Sequence, residues 1–121
     1  MEHEQSTTIS VAPDRLYRAI ADPANLTRFV PAITSVHRRD QEQVDVEARY
    51  EDHSEHGEAW FRADGDARRV SWGADGSPYE GWMVVDADGE GSRVTLHLTT
   101  PHELDVDEYV QQTFESLRGL A

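Results

Sequence analysis

An α+β fold is predicted: a curved antiparallel sheet of about six or seven strands wrapped around a long C-terminal helix, with two short helices after the first strand. Three observations predict it. Val106, Tyr109, Val110, Thr113, Phe114, Leu117 and Leu120 recur at spacings of three and four, while Asp107, Glu108, Gln111, Gln112, Glu115 and Arg118 fall between them. That is a helix with one face to bury. From Ile33 to Thr99 the apolar period is two instead, broken by turns rich in Gly and Asp. Between Val11 and Pro31 the chain carries two proline-opened segments, each too short for more than a few helical turns.

The elements follow in order. Thr7 to Val11 is a β-branched strand, and the polar residues 1–6 before it are expected to be flexible. Ala12-Pro13-Asp14 opens a helix with Leu16, Tyr17 and Ile20 on its apolar stripe. Asp22-Pro23 stops it and starts another, which carries Leu26, Phe29 and Val30 inward before Pro31. Ser35 to Arg39 is a strand, and so is Val44 to Tyr50, with Val44, Val46, Ala48 and Tyr50 on one face. Residues 51–57 read as an acidic loop. Glu58 to Ala63 and Arg69 to Ala74 form a hairpin through Asp64-Gly65-Asp66. Tyr79 to Asp86 and Arg93 to Thr99 form the next, through Asp88-Gly89-Glu90-Gly91, with Val94, Leu96 and Leu98 facing inward. The terminal helix runs from Asp105, an N-cap paired with Glu108, to Leu120.

Composition narrows the function. A chain of 121 residues supports one core, so a single domain over residues 7–121 is expected. It has no cysteine, which removes disulfides and thiolate metal sites. Twenty-four acidic residues against eleven basic ones, all arginine, give a formal charge of -13. That field repels phosphate backbones and anionic headgroups, so nucleic acid is not an expected partner. No apolar run has membrane-spanning length, and Met-Glu-His-Glu-Gln is not a signal flank, so no membrane insertion and a cytoplasmic location are expected.

Particular residues add a resemblance. The opening Ile9-Ser-Val-Ala-Pro-Asp-Arg-Leu-Tyr-Arg-Ala-Ile-Ala-Asp22, then Leu26-Thr-Arg-Phe-Val-Pro31, Arg69-Val-Ser-Trp72, Tyr79-Glu-Gly-Trp82 and Gly91-Ser-Arg-Val-Thr95 follow in a characteristic order. From Thr7 onward the chain resembles the helix-grip superfamily SRPBCC, which includes START lipid-transfer domains, the birch pollen allergen and polyketide cyclase/dehydrase-like proteins. The resemblance implies a cavity between sheet and helices for a mostly apolar small molecule, and no cofactor is expected. The chain is short for that family, which implies a reduced cavity or one completed by a second subunit, in a monomer or homodimer.

Candidate residues follow from the expected inner surface. Phe29, Val46, Leu96, Val110 and Phe114 are expected to line the cavity. Trp72 with Val70, and Trp82 with Val84, are expected to face the C-terminal helix, where either ring can stack on a flat ligand or fill the core. The register leaves Trp60 and Phe61 unassigned. Tyr50 and Tyr109 are the polar handles and the candidate catalytic groups; either hydroxyl can equally satisfy a backbone group. His97 alternates with leucines and is expected to face solvent, and Arg49, Arg62 and Arg93 to pair with acids on the wet face. His53-x-x-His56 has metal-accepting atoms, but in a loop nothing fixes its rings, so no metal is expected. No phosphate loop or nucleophile elbow is present. The expected function is binding or transport of a small hydrophobic molecule. The alternatives are a polyketide aromatase/cyclase acting in the same cavity, and an interaction module or homodimer using the Met83 or Val85 face.

Overall fold

The computed structural model describes residues 2–29, 33–40, 43–50, 53–74, 80–100 and 107–120. Strand β1 (Glu2–Ile9) leads to helix α1 (Pro13–Ile20), a 3-10 turn (Pro23–Asn25) and helix α2 (Leu26–Phe29). Six strands follow: β2 (Ile33–Arg38), β3 (Gln43–Tyr50), β4 (His53–Asp64), β5 (Arg69–Ala74), β6 (Glu80–Asp88) and β7 (Gly91–Thr99), then helix α3 (Asp107–Arg118). Pro13 opens α1, where its missing N–H leaves no helix bond unmade. The Asp22 carboxylate caps the next turn by accepting from the Ala24 amide at 3.0 Å.

The strands form one curved antiparallel sheet in the order β1-β7-β6-β5-β4-β3-β2. The helical segment after β1 therefore carries the chain from one sheet edge to the other, and a meander brings it back. At the β4–β5 hairpin the Asp64 carboxylate accepts from the Asp66 amide, and Arg68 takes φ 48° while its guanidinium pairs with Asp14 of α1 at 2.9 Å. The β6–β7 hairpin places Gly89 at φ 59°, a left-handed conformation that glycine adopts without strain. Helix α3 lies on the inner face and buries Val110, Thr113, Phe114 and Leu117.

The α+β helix-grip architecture is the expected one, with three differences in extent. Residues 2–6, expected to be flexible, are strand: every residue from Glu2 to Ile9 pairs with β7. Val11 lies beyond the strand end and is buried. Strand β4 begins at His53 and pairs with β3 from His53 to Trp60, so His53 and His56 lie in a strand, not in a loop. Asp105 and Val106, the expected start of the last helix, and Val30 and Tyr79 lie outside the described residues.

Candidate functional site

In an antiparallel pair, directly opposed residues share a face, so the register assigns every strand residue. Phe61, Trp72, Gly81, Leu98 and His3 form one row across the inner face of β4, β5, β6, β7 and β1. The next row inward is Ala63, Val70, Met83, Leu96 and Gln5, and Val85, Val94 and Thr7 follow. On β5, β6 and β7 exposure falls along this series, from Trp72 9% and Leu98 8% through Leu96 3%, Met83 3% and Val70 1% to Val85 1% and Val94 0%, whereas on β4 Phe61 is buried at 4% and Ala63 is exposed. On these three strands the inner face is least covered at the Trp72–Leu98 row, next to half-buried His3. Towards the same end the inner-face residues Val36, Val46 and Ala59 are only half-buried, though apolar.

Gly81 is the inner-face gap in the row of Trp72 and Leu98. A Cβ there would lie 2.7 Å from Trp72 Cζ2 and 2.8 Å from Leu98 Cδ2, so the indole and the leucine tip occupy the space that a side chain on β6 would take. The opposite end is sealed. Ser92 donates its buried hydroxyl to the Val11 carbonyl at 2.6 Å, and a Cβ on Gly91 would meet the Ile9 carbonyl at 2.7 Å, so β1 and β7 approach there more closely than a side chain allows.

Helix α3 is held on two sides. Thr113 donates to the Phe29 carbonyl at the end of α2 at 2.6 Å. Along β1, the Gln5 amide donates to Asp107 at 2.9 Å and accepts from Gln111 at 3.0 Å, while Arg118 donates to the Thr7 hydroxyl at 2.6 Å. The inward polar positions of β1 are thereby consumed by the helix, except His3, which lies one row beyond. His3 is half-buried, and its Nε2 lies 3.5 Å from the hydroxyl of buried Thr100. Sequence reasoning missed His3 because its strand was read as flexible; its phase with Thr7 and Ile9 was the available signal.

The expectation for Trp82 is corrected by the register. Because Gly81 faces inward, Trp82 and Val84 face outward. Trp82 stacks on His97 with ring centroids 5.1 Å apart and planes 3° from parallel, and Arg69 lies over the Trp82 ring at 4.7 Å. His97 is on the outer face as expected but is mostly covered, lying 3.5 Å from Glu2 and 3.3 Å from Glu4. Trp60 is also outward: its indole covers Gly73, and Arg62 lies over it at 4.8 Å. Arg93 donates to the Ser6 hydroxyl instead of pairing with an acid. Met83 and Val85, proposed above as a docking face, are buried in the core and face inward, so they present no surface to a partner.

Of the other expected lining residues, Phe29, Leu96, Val110 and Phe114 are fully packed in the core, whereas Trp72 and Val46 lie towards the open end. The side chains of Tyr50 and Tyr109, and that of Arg49, lie outside the described residues. Tyr17 packs against the core near Gly65; burial first, and the Asp64 carboxylate second, push its phenol above the ordinary range. Among the described residues no three His, Asp or Glu side chains are placed to hold a metal, and no helix is long and apolar enough to cross a membrane.

Comparison with known proteins gives the same architecture a family. The family model described as polyketide cyclase / dehydrase and lipid transport matches residues 2–116. No curated protein matches the chain significantly. Among solved structures the fold is similar to the Zhui aromatase/cyclase from Streptomyces sp. R1128 (TM-score 0.79, 13% identity, 99% of this chain and 92% of that one). It is also similar to a START superfamily protein from Mycobacterium smegmatis (TM-score 0.79, 8% identity, 98% and 95%). A third structure, of a protein from Thermus thermophilus, shares 22% identity over 97% of this chain and 91% of that one, with a TM-score of 0.74. At these identities the likeness to the three structures is one of fold. By the family match over residues 2–116, the chain belongs to the polyketide cyclase / dehydrase and lipid transport family.

Proposed function

We propose that the protein binds a small, largely apolar molecule in the concavity between the sheet and α3, entering at the Trp72–Leu98 end. The observation that carries this reading is the burial gradient on the apolar inner face of β5, β6 and β7. Val94 and Val85 are sealed, whereas at the other end Val46 and Val36 are only half-buried and Trp72 and Leu98 are the least covered of the buried core. Apolar surface left at the mouth of a preformed concavity favours a ligand that removes it from water. The formal charge of -13 selects against anionic ligands and towards neutral ones. The family description, which names lipid transport, supports the same reading.

A neutral fluorescent probe tests it. In a Trp60→Phe/Trp82→Phe variant, Trp72 is the remaining tryptophan, and binding of N-phenyl-1-naphthylamine is expected to quench Trp72 emission saturably while probe emission rises. No saturable change in either signal sinks the reading. A second reading is favoured by the family's cyclase and dehydrase members and by the fold of the Zhui aromatase/cyclase. In it the same concavity folds a flexible chain into a reactive conformer, and the hydroxyls of Tyr50 and Tyr109 assist proton transfer.

A further inference from the structure

We infer that His3 is the polar anchor of this site, and that the ligand class is a flat apolar molecule carrying one terminal hydroxyl or carbonyl. The inference rests on the ligand-binding reading and adds to it the end of the molecule that is recognised. One inner-face row runs from Trp72 on β5 across Gly81 and Leu98 to His3 on β1. At a strand spacing of about 4.8 Å that is roughly 14 Å, the reach of a small fused-ring system. A ring lying over Trp72 and Leu98, which already meet above Gly81, directs its far edge to the imidazole.

The other polar positions on this side are occupied. Gln5 is held by Asp107 and Gln111, and Thr7 by Arg118, so the β1 side chain free to meet a ligand at the opening is the one beyond the helix contacts. His3 Nε2 is directed to Thr100, and Nδ1 has no partner among the described residues. Thr100 steadies the ring, and an imidazole both donates and accepts, so it serves a hydroxyl or a carbonyl. Glu2 and Glu4 of the same strand lie on the opposite face beside His97. Asp107, at the start of α3, accepts from Gln5 one row further in.

The test compares two probes of nearly equal shape, 2-naphthol and 2-methylnaphthalene, by displacement of N-phenyl-1-naphthylamine from the protein and from His3→Phe and His3→Leu variants. The unmodified protein is expected to prefer 2-naphthol by ~3–10-fold, the worth of one hydrogen bond. In both variants that preference falls to near unity, while affinity for 2-methylnaphthalene is kept. An undiminished preference in the variants, or no preference in the unmodified protein, overturns the assignment of His3 but leaves the apolar site standing. Failure of both compounds to displace the probe overturns the site itself.

Discussion

Gly81 lets the Trp72 indole and the Leu98 tip share the space above β6, and any larger residue evicts one of them. Gly81→Ala is therefore expected to cost ~1–3 kcal/mol in urea unfolding, the usual penalty of overpacking. Gly57 is the contrast: on the same inner face, nothing lies within 4 Å of a Cβ there, so Gly57→Ala is expected to stay within ~0.5 kcal/mol of the parent. Equal losses in the two variants would show that the cost at Gly81 comes from the backbone and not from crowding. This residue also explains what the sequence left unread. In Gly81-Trp-Met-Val-Val85 two consecutive valines satisfy either strand phase, so alternation alone does not say whether Trp82 or Met83 is inside. The choice depends on Trp72 and Leu98, which arrive from neighbouring strands. Trp72, flanked by Val70 in phase, was assigned correctly from its own strand.

Strand β1 shows the same limit at the scale of an element. Its first half, Glu-His-Glu-Gln, has no apolar alternation to detect, because both faces are satisfied by polar partners: His97 outside, Thr100, Asp107 and Gln111 inside. Strand β4 was truncated in the sequence reading for a related reason, since His53 to Gly57 reach the rim, where little apolar surface is required. The elements that were legible, α3 and β7, are those that bury one face fully, and their inward residues Val110, Phe114, Val94 and Leu96 were named correctly. If the outer contacts hold the first half of β1, His97→Ala should loosen that half alone. Amide exchange at residues 3–6 is expected to accelerate about fivefold, equivalent to ~1 kcal/mol of local stability, with β3 and β4 unchanged. Acceleration spread evenly over the sheet would mean that His97 supports the core through Trp82 instead.

At the scale of the whole molecule, charge and topology set the behaviour. With 24 acidic residues against 11 basic ones, repulsion opposes compaction, and the pairs formed by Arg39, Arg68 and Arg118 offset only part of it. Raising salt from ~0.01 M to ~1 M shortens the screening length from about 30 Å to 3 Å, so the thermal midpoint is expected to rise over that range. A flat or falling midpoint would show that these ion pairs outweigh the net repulsion. The sheet order has a further consequence, for the time at which the molecule becomes complete. Among the described residues β1 pairs only with β7, so the described strand that leaves the ribosome first waits for the one that leaves last. Until residues 91–99 emerge, β1 has no strand partner among the described residues, and the pairing that joins His3 to Leu98 closes a loop that takes in every strand of the sheet. Such a closure is entropically late. The wall that carries His3 is thus among the last parts of the protein to exist, and a nascent chain can hold most of its sheet before it has an entrance.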